Sequence, residues 1–259
     1  MIAAQVHPHP NPALQAQEGA TTLLALTGVN THIGHYYILQ GVDFAVARGG
    51  FTMLLGRNGA GKTTCLRTIM GLWKASAGRI EFDGSDIARR STPAVAQLGI
   101  GYVPESMGIF AGLAVRENLA LAARSGPLDA QRLEWIFGFF PALKKFWNLP
   151  AGHLSGGQKQ MLAIARAIIE PRKLLLIDEP TKGLAPAIIA HMVEAFRELK
   201  RTDTTILLVE QNFNFARALG DTVAVMDSGR VVHTGSMKTL AEDQAGQQKL
   251  LGLSLDLHQ

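Results

Sequence analysis

The stretch FTMLLGRNGAGKTTCLRTIM, Phe51 to Met70, changes character twice along its length. FTMLL is a short continuous apolar run of the kind a strand buried on both faces requires. It leads into Gly56, Arg57, Asn58, Gly59, Ala60, Gly61, Lys62, Thr63 and Thr64, after which CLRTIMGLW carries apolar residues at helical spacing. Strand, glycine-rich loop and helix in that order satisfy G-x-x-x-x-G-K-[ST], the phosphate-cradling P-loop, in the context that gives the motif its meaning. Gly56, Gly59 and Gly61 let successive backbone N–H groups turn inward towards phosphate oxygens, at a helix N-terminus that favours anions. Lys62 adds a point charge for the β- and γ-phosphates. Thr63 offers a hydroxyl to the Mg2+ that bridges them.

On the N-terminal side of the loop, TTLLALTGVN and YYILQGVDFAVARG are short strand patterns ended by Gly or Asn. Beyond it, GRIEFDGSDI continues that style, with Asp83-Gly84 as a turn signal, so antiparallel β structure is predicted here. IGYVPE is a further strand, stopped by Pro104. Over about 105–160 the strand patterns give way to apolar residues at helical spacing, as in VRENLALAAR and RLEWIFGFF, which predicts a helical insert. The chain then alternates. Helix GQKQMLAIARAII, strand KLLLID, helix AIIAHMVEAFRELK, strand TTILLVE, helix NFARALG and strands TVAVMD and RVVHTG argue for an α/β sheet with parallel central strands. In TILLVEQNFNF, Glu210, Gln211 and Asn212 stand either at a ligand site, where such sheets bind, or at the start of the next helix.

With 259 residues, 47% apolar and 18% charged, the chain can bury a full core. Its 25 basic and 21 acidic residues leave a formal charge of +4, in scattered pairs such as Arg89-Arg90 and Lys144-Lys145 rather than on one face, which argues against a nucleic-acid partner. No run reaches the roughly 18 apolar residues of a membrane helix. Residues 1–20, MIAAQVHPHPNPALQAQEGA, lack a signal-peptide pattern and read as a disordered tail. The end of the chain, 241–259, reads as an amphipathic helical tail. The one cysteine, Cys65, agrees with a reducing cytoplasm and reads as a packed residue, with a reactive thiol at a helix N-terminus as the alternative. His191 lacks partners at metal-ligand spacing. Trp135, Phe137, Phe139, Phe140, Phe146 and Trp147 read as the core of the insert, with a docking groove as the functional alternative.

Two further motifs complete the pattern. KLLLIDEP delivers Asp178 and Glu179 to a strand end, where in P-loop ATPases the Asp holds Mg2+ and the next acid can orient and deprotonate the attacking water. LSGGQKQ, Leu154 to Gln160, opens a helix upstream of that pair, with a hydroxyl and close-approach amides at its N-terminus. With GRNGAGKTT, these motifs resemble the nucleotide-binding subunits of ABC transporters, from about Thr22 to Gly235. YVPESMGIF, IDEPTKGLAPAII and LLVEQNFNF narrow the resemblance to the LivF-type subunits of branched-chain amino acid and amide importers.

The resemblance implies a P-loop ATPase domain at 21–240, with an antiparallel β subdomain and a helical signature subdomain at about 105–160. It implies ATP and Mg2+, with Glu179, Lys62 and Gln211 in catalysis and Thr63 and Asp178 on the metal. Nucleotide contacts fall to Gly56 through Thr64, to Glu105, and to Ser155, Gly156, Gly157 and Gln158, the last four closing on ATP held by the opposite subunit of a head-to-tail dimer. The implied partners are two membrane permease subunits, a second ATP-binding subunit in a hetero- or homodimer, and an extracytoplasmic binding protein. The implied location is peripheral, on the cytoplasmic face of the cell membrane. A non-transport ABC ATPase and the ATPase of an exporter are the alternatives.

Most ABC ATPases carry Gln where this chain has Glu105, Asp at Ala185 and His at Gln211. Glu105 is expected beside Mg2+ and the γ-phosphate, where a carboxylate about 4 Å from either is worth roughly 4 kcal/mol at an effective dielectric near 20. The Gln211 amide is expected to donate to a γ-phosphate oxygen and accept from a backbone N–H, leaving Glu210 and Asn212 as helix-start residues. Lys182 and Ala185 set the loop after Glu179 apart from the common pattern. Ile33 occupies the position of the usual adenine-stacking aromatic, with His32, Tyr36 and Tyr37 as candidates to replace it.

Overall fold

A computed structural model describes residues 21–123, 126–202 and 204–252; the expected tail at 1–20 and the last residues, 253–259, lie outside them. The first strands, β1 (Thr22–Ile33) and β2 (Tyr36–Ala47), form an antiparallel pair. β3 (Phe51–Leu55) leads through the P-loop into α1 (Lys62–Ile69). β4 (Ala75–Phe82) and β5 (Ser85–Asp86) meet at Asp83-Gly84, both at positive φ as the turn signal requires. The first sheet runs β2-β1-β4-β5 and is antiparallel throughout.

After α2 (Thr92–Gln97) and β6 (Ile100–Val103), the chain enters the helical insert: α3 (Val115–Ala120), α4 (Ala130–Phe139), α5 (Pro141–Lys145) and α6 (Gly156–Ile168). The expected alternation follows as β7 (Leu174–Asp178), α7 (Pro186–Lys200), β8 (Thr205–Glu210), α8 (Phe213–Leu219), β9 (Thr222–Asp227) and β10 (Arg230–Ser236). The chain continues in α9 (Met237–Glu242) and α10 (Gln244–Leu251). The second sheet runs β10-β9-β3-β8-β7-β6, parallel except for the β9/β10 pair.

Every residue of β3, β7 and β8 is buried. Alternate side chains face opposite ways, as the strand period dictates. Leu54, Leu176, Leu207 and Val209 join a core shared with α1 and the antiparallel sheet. Phe51, Met53, Ile177, Ile206 and Leu208 join a larger core under α6, α7, α8 and the insert. The insert's aromatic residues pack against that larger core, with edge-on contacts at 4.6 Å for Trp135–Phe139 and 5.4 Å for Phe137–Trp147. Cys65 is buried, and burial pushes its thiol up to about 12, which removes the reactive-thiol alternative. Among the described residues no helix is long and apolar enough to cross a membrane.

The parallel register sets Leu55 beside Glu210, and Asp178 beside Val209. The segments that leave β3, β8 and β7 therefore emerge side by side at one sheet edge. Three motifs far apart in sequence meet there.

Candidate nucleotide site

Gly56 sits at φ 151°, where an added Cβ would lie 2.3 Å from the Met226 carbonyl oxygen, so the loop leaves β3 by a path only glycine fits. The Lys62 ammonium, 4% exposed, donates to the carbonyls of Gly56 at 2.8 Å and Arg57 at 3.1 Å. It also lies 3.4 Å from Glu179 Oε1. Thr63 Oγ1 donates to Asp178 Oδ1 at 3.0 Å, and the Tyr102 hydroxyl reaches towards Asp178 Oδ2 at 3.4 Å.

Asp178 is fully buried, and desolvation pushes its carboxyl up to about 6 against the opposing Thr63 hydrogen bond; the nearby Glu179 and Glu105 charges add to the rise. A desolvated carboxylate paired with a hydroxyl is an oxygen-only donor set lacking a positive charge. It fits Mg2+, which takes one or two protein oxygens and completes its shell with waters and phosphates. Tyr102, a neighbour that sequence spacing did not single out, is pushed up to about 12, chiefly by burial.

Glu179 has φ 45°, a left-handed conformation unusual for a residue with a side chain, and its N–H donates to the Val209 carbonyl at 3.0 Å. Gln211 Nε2 donates to Glu179 Oε1 at 3.2 Å and also to Asn58 Oδ1. The amide thus joins the P-loop to Glu179; among the described residues no backbone N–H donates to its oxygen. Asn58, Lys62, Glu179 and Gln211 form one connected group.

The sequence expectation needs correction at Glu210 and an addition at Glu105. Glu105, expected beside metal and phosphate, lies near enough to Asp178 for its charge to raise that carboxyl, and its own carboxylate accepts from Lys182 Nζ at 2.5 Å. That ammonium also lies 3.7 Å from Glu179 Oε2, so two acids share one cation, and pairing with Glu105 holds the Lys182 ammonium above its usual range. Glu210 was assigned to the helix start, but it is the buried last residue of β8 and bonds to Thr181 as well as to the turn that follows. Asn212 does cap α8, accepting from the Phe215 N–H at 3.1 Å. An acid closing an otherwise apolar buried strand is the sequence signal that marks Glu210.

Ser155, Gly156, Gly157 and Gln158 stand apart, their hydrogen bonds closing a capping box on α6. Ser155 Oγ accepts from the Gln158 N–H at 3.3 Å, and Gln158 Oε1 accepts from the Ser155 N–H at 2.9 Å. A Cβ on Gly157 would fall 2.6 Å from Ile188 Cγ2, so this glycine serves the contact between α6 and α7. Near Ile33, His32 and Tyr37 stack on each other at 4.5 Å, while Tyr36 is 76% exposed.

The ABC transporter family model matches residues 39–182. The branched-chain amino acid transport ATP-binding protein BraG of Pseudomonas aeruginosa is 38% identical over 81% of this chain and 91% of its own length. The probable LivF protein of Archaeoglobus fulgidus is 33% identical over 89% and 99%. The Nod factor export ATP-binding protein I of a Rhizobium species is 34% identical over 86% and 74%. A solved ATP-binding cassette of an ABC transporter in its ADP conformation superposes with a TM-score of 0.75 at 26% identity, covering 90% of this chain and 100% of that one. The chain belongs to the ATP-binding, ATP-hydrolysing subunits of the ABC transporter family.

Proposed function

We propose that the chain energises an importer of branched-chain amino acids or related amides from the cytoplasmic face of the cell membrane. It works there with two permease subunits, a second ATP-binding subunit and an extracytoplasmic binding protein. The observation that carries the ATPase chemistry is the convergence of Lys62, the Thr63–Asp178 pair, Glu179 and Gln211 at one sheet edge. The amino acid cargo is supported by the likeness to BraG and LivF, both named for branched-chain amino acid transport.

On ATP binding, the Lys62 ammonium exchanges its carbonyl partners for β- and γ-phosphate oxygens, and the inward N–H groups of Gly56 through Thr64 hold the rest of the chain of phosphates. Thr63 and Asp178 would hold Mg2+, which when bound neutralises charge on the phosphate oxygens. Glu179 orients a water in line with the γ-phosphate and takes its proton. Gln211, within reach of Glu179, turns its amide donor to the γ-phosphate as charge develops. Ser155 through Gln158 close on the ATP of the opposite subunit.

Gln211→Ala is expected to lower kcat for ATP in the assembled transporter by about 10-fold or more, with ATP binding little changed. An unchanged kcat in steady-state phosphate release would assign the end of β8 a structural role only. The likeness to the Nod factor exporter subunit keeps an exporter as the second reading. ATP turnover by the reconstituted complex separates the two. Stimulation by a substrate-loaded binding protein on the outer side supports import, whereas stimulation by substrate on the nucleotide side, with no binding protein, supports export.

A further inference from the structure

We propose that Glu210 is a positioning residue for ATP hydrolysis, holding the loop that carries Glu179 in register with Gln211; this rests on the reading of Glu179 as the base. Glu210 is 2% exposed at the end of a strand whose other residues are apolar or Thr. Oε1 accepts from the Thr181 N–H at 3.1 Å and from Thr181 Oγ1 at 2.7 Å. Oε2 accepts from the N–H groups of Gln211 and Asn212, each at 3.0 Å.

A buried carboxylate is tolerated only when its oxygens are satisfied, and here four donors satisfy it. Those donors come from two segments. One is the loop following Glu179; the other is the turn carrying Gln211. The helix start does not require this carboxylate, because Asn212 caps α8 with its own side chain. What Glu210 adds is the grip on Thr181, two residues beyond Glu179.

The grip matters because Glu179 holds a left-handed backbone conformation that its surroundings must enforce. The last two residues of β8 pin it from both sides: Val209 O accepts the Glu179 N–H, and Glu210 holds Thr181. The same carboxylate fixes the Gln211 backbone, so one group sets the 3.2 Å approach of Gln211 Nε2 to Glu179 Oε1. In Glu210→Gln one oxygen becomes an amide NH2 that meets N–H donors, and one side of the link fails. None of the groups that Glu210 itself bonds belongs to the P-loop, so the loss should fall on kcat rather than on nucleotide affinity.

The test is steady-state ATP hydrolysis by the assembled transporter carrying Glu210→Gln, Thr181→Val, the double variant or Thr181→Ser. The expected result is a fall in kcat of about 10–100-fold in each of the first two, with KM for ATP unchanged. The double variant should lose no more than the worse single one, and Thr181→Ser, which keeps the hydroxyl, should retain wild-type kcat. Wild-type kcat in either single variant, a matching rise in KM, or additive losses would overturn the proposal. If Glu210→Gln does not fold, Thr181→Val and Thr181→Ser carry the test alone. Glu179→Gln run alongside separates the two readings: full turnover there overturns the base assignment and this proposal with it. Its inactivity alongside normal kcat in the Glu210 and Thr181 variants overturns this proposal alone.

Discussion

Glu179→Gln retains ATP binding and loses most turnover, by about 100-fold or more. The amide keeps the shape of the carboxylate and its reach towards Gln211, so the group at the sheet edge stays assembled; what it loses is the capacity to take a proton from water. Removing the negative charge also relieves Lys62 and Lys182 of a shared anion, 3.4 and 3.7 Å away, which frees Lys62 for phosphate. The nucleotide-bound state should therefore accumulate, and, in the proposed pairing of two ATP-binding subunits, so should the ATP-joined pair. Equilibrium ATP binding together with single-turnover phosphate release checks both halves. Normal turnover in this variant would remove Glu179 from the role of base.

Asp178→Asn should move stability and function in opposite directions. Burial raises the Asp178 carboxyl from 3.8 to about 6, a difference worth roughly 3 kcal/mol. Because the folded value lies above the unfolded one, the favourable contribution is fully present below pH 3.8 and is lost as pH rises through about 6. At pH 7.5 the nucleotide-free wild-type chain thus carries an unfavourable buried charge that asparagine lacks. The variant should melt about 6–12 °C higher without ligand. Its turnover should fall about 100-fold, because the donor pair no longer carries the charge that suits a divalent cation. Wild-type Mg2+ affinity should likewise weaken as pH falls through about 6, where a proton competes for the same oxygens. Calorimetric melts at pH 5.5 and 7.5, with and without Mg2+, check the sign. A lower melting temperature for Asp178→Asn at pH 7.5 would contradict this account of the carboxylate.

The sequence revealed those parts of the site whose chemistry is local. FTMLL, LLLID and TILLVE read as strands because each carries a short run of mostly apolar residues, and each emerges fully buried. The P-loop was legible because its glycines and lysine act within one turn. LSGGQKQ was legible as a helix start because its hydroxyl and glycines lie within four residues of one another, and the capping box of Ser155 and Gln158 is equally local.

What stayed hidden depends on pairing across the fold. Nothing in TILLVE states that β8 lies between β3 and β7, and that order is what carries Gln211 to Glu179. Glu105 and Lys182 are 77 residues apart, so their ion pair could not be anticipated beside the expected place of Glu105 near metal and phosphate. Glu210 was misread as a helix-start residue because its partner Thr181 lies 29 residues earlier. A side chain's chemistry follows from its type. Whether that chemistry is spent on a ligand or on the protein depends on neighbours that only the folded chain supplies.

The central claim, that hydrolysis at this site drives inward transport, is tested most directly by the initial rate of radiolabelled leucine uptake in cells deleted for the chain. The assay is repeated with isoleucine, valine and a short amide. The account predicts that deletion abolishes energised uptake of at least one of these substrates, that the wild-type chain restores it, and that Glu179→Gln, expressed to the same level, does not. Uptake untouched by the deletion for all four, or restored in full by Glu179→Gln, would contradict it.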